Sequence, residues 1–138
     1  MDIRVERADE RARIERELQR IVGTTHVPGT STTLSGSFHR PPLVPTDASL
    51  RYTALFQAVS RLAGYPLGTA TSGGASDGND TAAVGTPTVD GVGAHGGRAH
   101  SPEEFVEIES LPKKSAILAG FLAALADPAL RARLEAAA

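Results

Sequence analysis

The sequence predicts an α/β fold in two parts that meet near a proline-rich connector. Three observations carry this. Helical stripes of apolar residues alternate along the chain with short extended stretches. Pro41, Pro42 and Pro45 fall close together, and prolines donate no ladder hydrogen bonds and form stiff connectors, so a boundary is placed there. Glycine-rich stretches around 73–78 and 93–97 stand between elements, where loops present side chains on a rigid scaffold.

Taken in order, Met1 to Val5 alternates apolar and polar positions as a half-buried strand does. Ile14, Leu18 and Ile21 then share one helical face, and Gly23 stops that helix. Val27 to Phe38, rich in Thr, Ser and Gly, reads as extended. Residues 1–42 form the first part and 43–138 the second. Thr46 or Asp47 caps the next helix, with Leu55, Val59 and Leu62 as its buried stripe and Gly64 as its stop. Pro66 to Thr71 and Thr88 to Val92 read as short strands, and Ser76 or Asp77 caps a short helix running to Val84. Gly93 to Arg98 is too rich in glycine for a regular element. Ser101-Pro102-Glu103-Glu104 has a capping residue, a first-position proline and first-turn acids, the pattern of a helical turn. Val106 to Ile108 reads as a brief extended piece. Ser110 caps a long final helix with Ile117, Leu118, Phe121, Leu122 and Leu125 as its stripe, interrupted at Asp127-Pro128.

Bulk properties narrow the chemistry. A net charge of −2 and no basic run longer than Lys113-Lys114 leave nucleic acid and anionic membranes without an electrostatic reason to bind. The chain has no cysteine, so disulfides and thiolate zinc sites are excluded and any metal must be held by His and carboxylates. The longest apolar stretch, residues 116–126, is too short to span a bilayer. The N-terminus carries no basic-then-apolar signal pattern, and a cytoplasmic protein is expected.

The sharpest chemical feature is His100, just past a glycine-rich loop and at the start of a turn. A histidine there can approach a metal without steric interference; on spacing alone it also reads as a surface histidine. His95 is a second candidate ligand, although neither helical nor strand spacing aligns it with His100. Gly73 and Gly74, ahead of Ser76 and Asp77, can offer backbone N–H groups to an anion or simply form a tight turn. Arg40, between His39 and two prolines, can bind a carboxylate through its planar fork or stand solvated. Glu103-Glu104 is read as structural, a pair of first-turn acids.

The segments Ser37-Phe-His-Arg-Pro-Pro42, Ser72-Gly-Gly-Ala-Ser-Asp-Gly-Asn79, Gly85-Thr-Pro-Thr-Val-Asp-Gly-Val-Gly93 and Gly96-Gly-Arg-Ala-His-Ser-Pro-Glu-Glu-Phe-Val106 occur in an order and spacing similar to the last portion of one family. It is the two-zinc family of aminoacylase, carboxypeptidase G, acetylornithine deacetylase and succinyl-diaminopimelate desuccinylase. The likeness runs from Asp2 to about Leu125. It implies that residues 1–42 end an inserted α+β lid and dimerisation domain and that 43–138 belong to an α/β zinc-peptidase catalytic domain. It also implies that His100 is the last zinc ligand and that Arg40 binds the substrate carboxylate. Gly73, Gly74, Ser76 and Asp77 would line the substrate site, with Ala75 where many members have another glycine.

The implied reaction is hydrolysis of the amide bond of an N-acyl amino acid, N-carbamoyl amino acid or small peptide with a free carboxylate. Two zinc ions would hold and acidify a water whose proton a glutamate takes. The family's first half carries a His-x-Asp segment, a bridging Asp, a Glu-Glu pair with the general base, and a lid histidine from a homodimer partner. None of these segments occurs here. The chain is therefore expected not to catalyse alone, to pair with an N-terminal complementing half, and to leave apolar faces of the helices at 47–63 and 112–126 uncovered. Two other readings stand beside this one: a noncatalytic assembly or carboxylate-binding module, and a mononuclear site from His95, His100 and a carboxylate.

Overall fold

The computed structural model describes residues 2–136 of the 138-residue chain. Helices dominate, joined by one small antiparallel ribbon, an α/β arrangement. The chain forms two compact units, Met1–Val44 with Thr71–Thr86, and Pro45–Ala70 with Pro87–Ala138.

The first unit contains α1 (Ala8–Val22) and α3 (Asp77–Ala83). Its charged composition gives α1 pairs along its own surface: Arg11 Nε on Glu15 at 3.0 Å, one turn on, and Arg20 on Glu17. Arg7 grips Asp9 at the start of the helix. The hydrogen bonds from these arginines hold the Asp9 and Glu17 carboxyls below the ordinary carboxylate range. Ile14 and Leu18 are half-buried, as their spacing predicts, whereas Ile21 is exposed. The Arg11 guanidinium lies over the Phe38 ring, 5.4 Å from its centroid, and joins α1 to the extended segment before the prolines. The expected strand at the N-terminus does not form among the described residues, and Met1 lies outside them. Ile3 and Val5 keep the half-buried alternation but have no ladder partner. Val27 to Phe38 likewise forms no strand. Extended propensity needs a neighbouring strand to pair with, and none is present among the described residues of this unit.

The second unit is built on α2 (Asp47–Leu62), α4 (Ser110–Ala126) and α5 (Pro128–Ala136). Thr46 caps α2 reciprocally with Ser49: each side chain accepts the other's backbone N–H, at 3.1 and 2.8 Å. The core joins Leu55, Phe56 and Val59 of α2 with Ile117 and Ala124 of α4 and Leu134 of α5. The Phe121 ring meets Phe56 and Tyr52 edge-on, with centroids 5.4 and 6.4 Å apart. Gly120 sets the approach of the two long helices, because a Cβ there would stand 2.9 Å from Val59 Cγ1. Asp127 ends α4 and caps α5, its Oδ1 accepting from the N–H groups of Ala129 and Leu130. The two helices bend by 116° there, at the expected interruption. No single helix among the described residues is long and apolar enough to cross a membrane.

Two expectations for this unit are corrected. The buried stripe of α4 is Ile117, Gly120, Phe121 and Ala124, whereas Leu118, Leu122 and Leu125 are exposed; Leu62 at the end of α2 is 70% exposed. Positions 117, 120, 121 and 124 lie three and four residues apart and so share the face turned to α2, with Gly120 where the two helices come close. Pro66 to Thr71 forms no strand, because α2 side chains take the backbone groups of Leu67: Ser60 Oγ accepts its N–H and Gln57 Nε2 donates to its carbonyl. Thr88 to Val92 also stays outside any ladder.

The ribbon pairs β1 (Gly96–Gly97) with β2 (Phe105–Val106), Gly96 opposite Val106 and Gly97 opposite Phe105. The glycines predicted to exclude regular structure instead permit it. A Cβ on Gly96 would run into the Phe105 carbonyl, and one on Gly97 would meet the Phe105 ring at 2.9 Å.

Ile117→Ala is expected to lower unfolding free energy by about 2–5 kcal/mol, and Leu122→Ala by less than about 1 kcal/mol, in urea titrations of the two variants. A larger loss for Leu122 would contradict the packing described. Lowered folded-state pKa values at Asp9 and Glu17 stabilise the chain above their unfolded pKa and lose that contribution as pH falls through the folded value. Carbon-detected NMR titration should therefore place both midpoints below the ordinary values of 3.8 and 4.5 for free Asp and Glu side chains.

Candidate functional site

The residues singled out from sequence lie in both units: Arg40, Gly73, Gly74, Ser76 and Asp77 in the first, His100 in the second. Each unit has its own geometry.

In the first, Ser76 caps α3 by accepting the Gly78 N–H at 3.0 Å, and Asn79 Oδ1 accepts the Ser76 N–H at 2.9 Å. The loop before it is folded on itself, with the Gly74 N–H on Ser72 Oγ at 3.1 Å. The N–H groups of Gly74, Ser76 and Gly78 are thus taken by the side chains of Ser72, Asn79 and Ser76. Gly73 is covered by Arg4, whose Cδ would stand 3.0 Å from a Cβ at that position; Arg4 is itself held by Asp2. Nothing in the local sequence pairs Arg4 with Gly73, so only the folded chain shows this contact.

Arg40 reaches the start of the same helix. Its Nη2 donates to Asp77 Oδ1 at 2.9 Å, and its Nη1 is 3.8 Å from Asp80 Oδ2. Beside it, Asn79 Nδ2 donates to the Pro41 carbonyl at 2.9 Å. The proline-rich segment is therefore fastened to the glycine-rich loop, and two motifs 37 residues apart in sequence are joined. Exposure keeps these charges accessible: the Arg40 side chain is 38% exposed and that of Asp77 95%. Arg40 thus pairs with a carboxylate of its own chain through one N–H, with Asp80 at longer range.

In the second unit, His100 stands on the connection between β1 and β2 with φ +66°, and Arg98 has φ +56°. Left-handed backbone costs a residue with a Cβ on the order of 1–2 kcal/mol. The cost is offset by a set of short bonds. The Ser101 N–H and hydroxyl both donate to the Arg98 carbonyl, Ser101 Oγ accepts from Glu103, and the Glu104 carboxylate accepts the His100 N–H at 3.1 Å. Residues 101–104 make a turn, not the expected helical start, and Glu104 binds the loop backbone instead of facing a helix dipole. The His100 side chain is exposed.

His95 is engaged elsewhere. Its Nδ1 lies 3.0 Å from Glu107 Oε2, its N–H donates to Ser110 Oγ, and its carbonyl accepts from the Glu107 N–H. Ser110, buried at the start of α4, also donates to the Glu107 carbonyl and so locks the ribbon onto that helix. Among the described residues, no three His, Asp or Glu side chains come together as a metal-holding group. A structural or catalytic zinc takes three or four protein ligands, so these residues do not by themselves form such a centre.

Glu104→Ala should free the His100 amide, and its hydrogen exchange is expected to accelerate about tenfold, equivalent to a bond worth roughly 1.4 kcal/mol. An unchanged exchange rate in that variant would show that the left-handed turn is held by its backbone alone.

Neither a curated protein nor a solved structure matches the chain. The model of the peptidase family M20/M25/M40 matches residues 9–124, across most of α1 to α4 and including Arg40, the glycine-rich loop and His100. The members of that family are metal-dependent peptidases and amidohydrolases. With the family's pattern running through both units, the chain belongs to the M20/M25/M40 peptidases.

Proposed function

We propose that the chain is the C-terminal part of a zinc-dependent amidohydrolase of the aminoacylase and carboxypeptidase G type. Its substrate is an N-acyl amino acid, an N-carbamoyl amino acid or a small peptide. Arg40 receives the substrate carboxylate, the loop from Gly73 to Asp77 lines the site beside it, and His100 contributes one metal ligand. The observation that carries this reading is the Arg40 guanidinium held against a carboxylate at the edge of that loop. Anchoring of this kind supplies orientation, which is a large part of catalysis when the reacting groups lie elsewhere. The other ligands and the general base come from a complementing half, with the lid part of the protein serving dimerisation.

A second reading, a noncatalytic carboxylate-binding or assembly module of the same family, draws on the exposed apolar row Leu118, Leu122 and Leu125 of α4. The two readings part on complementation. Mixed with a chain carrying the His-x-Asp and Glu-Glu segments, the first predicts hydrolysis of N-acyl amino acids and the second predicts none.

Zinc calorimetry on the chain and on a His100→Ala variant tests the metal assignment. Neither protein is expected to bind at about micromolar affinity or better. Tight binding lost in the variant would mean that the chain forms a centre of its own and would overturn the need for a second half. In the complemented enzyme, Arg40→Ala is expected to lower kcat/KM by about 10–100-fold, the worth of a charge-assisted hydrogen bond. An unchanged value would remove Arg40 from the substrate site.

A further inference from the structure

Arg40 is held at two levels. Its guanidinium meets Asp77 and Asp80, both exposed, and contacts of that kind exchange readily with water and contribute little. Its backbone is held differently. Asn79 is 8% exposed and uses both ends of its amide: Oδ1 accepts the Ser76 N–H, and Nδ2 donates to the carbonyl of Pro41, the residue after Arg40. A buried amide satisfied on both sides is costly to disturb. Pro41 has a fixed φ, so a bond to its carbonyl sets the direction of the chain as it leaves Arg40. A ligand carboxylate that displaced Asp77 would break only the exposed bond and would find the arginine stem still in place.

We infer that Asn79 is the positioning residue of the carboxylate site, tethering the Arg40 segment to the capped start of α3 through the Pro41 carbonyl. The inference rests on the reading of Arg40 as the carboxylate anchor. It adds a role for a residue whose position in the sequence indicates only helix capping. Capping and tethering are separable, because the chain closes its other capping box with a serine: Ser49 accepts the Thr46 N–H at the position that Asn79 occupies in α3. A serine at 79 can keep the acceptor for Ser76, and it has no amide to reach Pro41.

The test follows the Nε–Hε NMR signal of Arg40 in the full chain while N-acetyl-L-alanine is added, with its methyl ester as the uncharged control. In the unsubstituted chain the signal is expected to move with the acid and not with the ester. Asn79→Ser should weaken the acid's binding by about fivefold or more, as loss of orientation does. Thr46→Ala, which removes the equivalent cap of α2 and touches neither Arg40 nor the glycine-rich loop, should stay within about twofold, below 0.5 kcal/mol. Unchanged binding in Asn79→Ser, or equal weakening in both variants, overturns the positioning role. A signal that ignores the acid in the unsubstituted chain sinks the carboxylate-anchor reading itself. A measurement needing no variant stands beside these: one Asn79 Nδ2 proton should exchange slowly with solvent, and exchange at the rate of a free amide overturns the tether.

Discussion

At Gly120 the backbone of α4 comes close enough to α2 that Val59 fills the space a side chain would occupy. The rest of the second unit follows from that approach. It places Ile117 and Ala124 against Leu55 and Phe56, leaves Phe121 to meet two rings edge-on, and gives α5 a surface for Leu134. A side chain at 120 would separate the helices, and the core has few large residues with which to refill the gap. The ribbon is then fastened to the start of α4 by Ser110, a buried hydroxyl that serves His95 and Glu107 together.

Where apolar burial is scarce, short polar ties hold the chain. Ser60 and Gln57 fold the segment after α2 back on the helix, Glu104 and Ser101 hold the left-handed turn at His100, and Asn79 holds Pro41. None of the buried side-chain polar atoms among the described residues lacks a partner. These ties share a logic: a side chain on a helix or at a turn takes backbone groups of an irregular segment that no strand is available to take. Irregular segments can then carry chemistry, because their backbones are fixed even though their side chains stay exposed.

The family match and the geometry describe one chain from two sides. The match spans Arg40, the glycine-rich loop and His100, and the structure shows how each is braced. Arg40 is aimed by Asp77, and His100 is set on a backbone conformation that only local bonds make tolerable. Neither feature completes a hydrolytic centre among the described residues, since ligands for a metal are not gathered there.

How much of this was legible in advance depended on the range of the interaction. The helices, the caps at Thr46 and Ser76 and the interruption at Asp127-Pro128 are local, set by side chains reaching backbone a few residues away, and the sequence by itself determined them. Arg40, Gly73, Gly74, Ser76, Asp77 and His100 stood out through motif order and residue chemistry. Hidden were the contacts between distant segments: Asn79 on Pro41, Arg4 on Gly73, and Val59 in the space at Gly120. The strands expected at Pro66 to Thr71 and Thr88 to Val92 failed for a related reason, because a strand needs a partner and local pattern cannot supply one. Propensity and spacing describe what a segment can do; which face is buried, and which loop is held still, only the tertiary structure decided, because both depend on what else comes near.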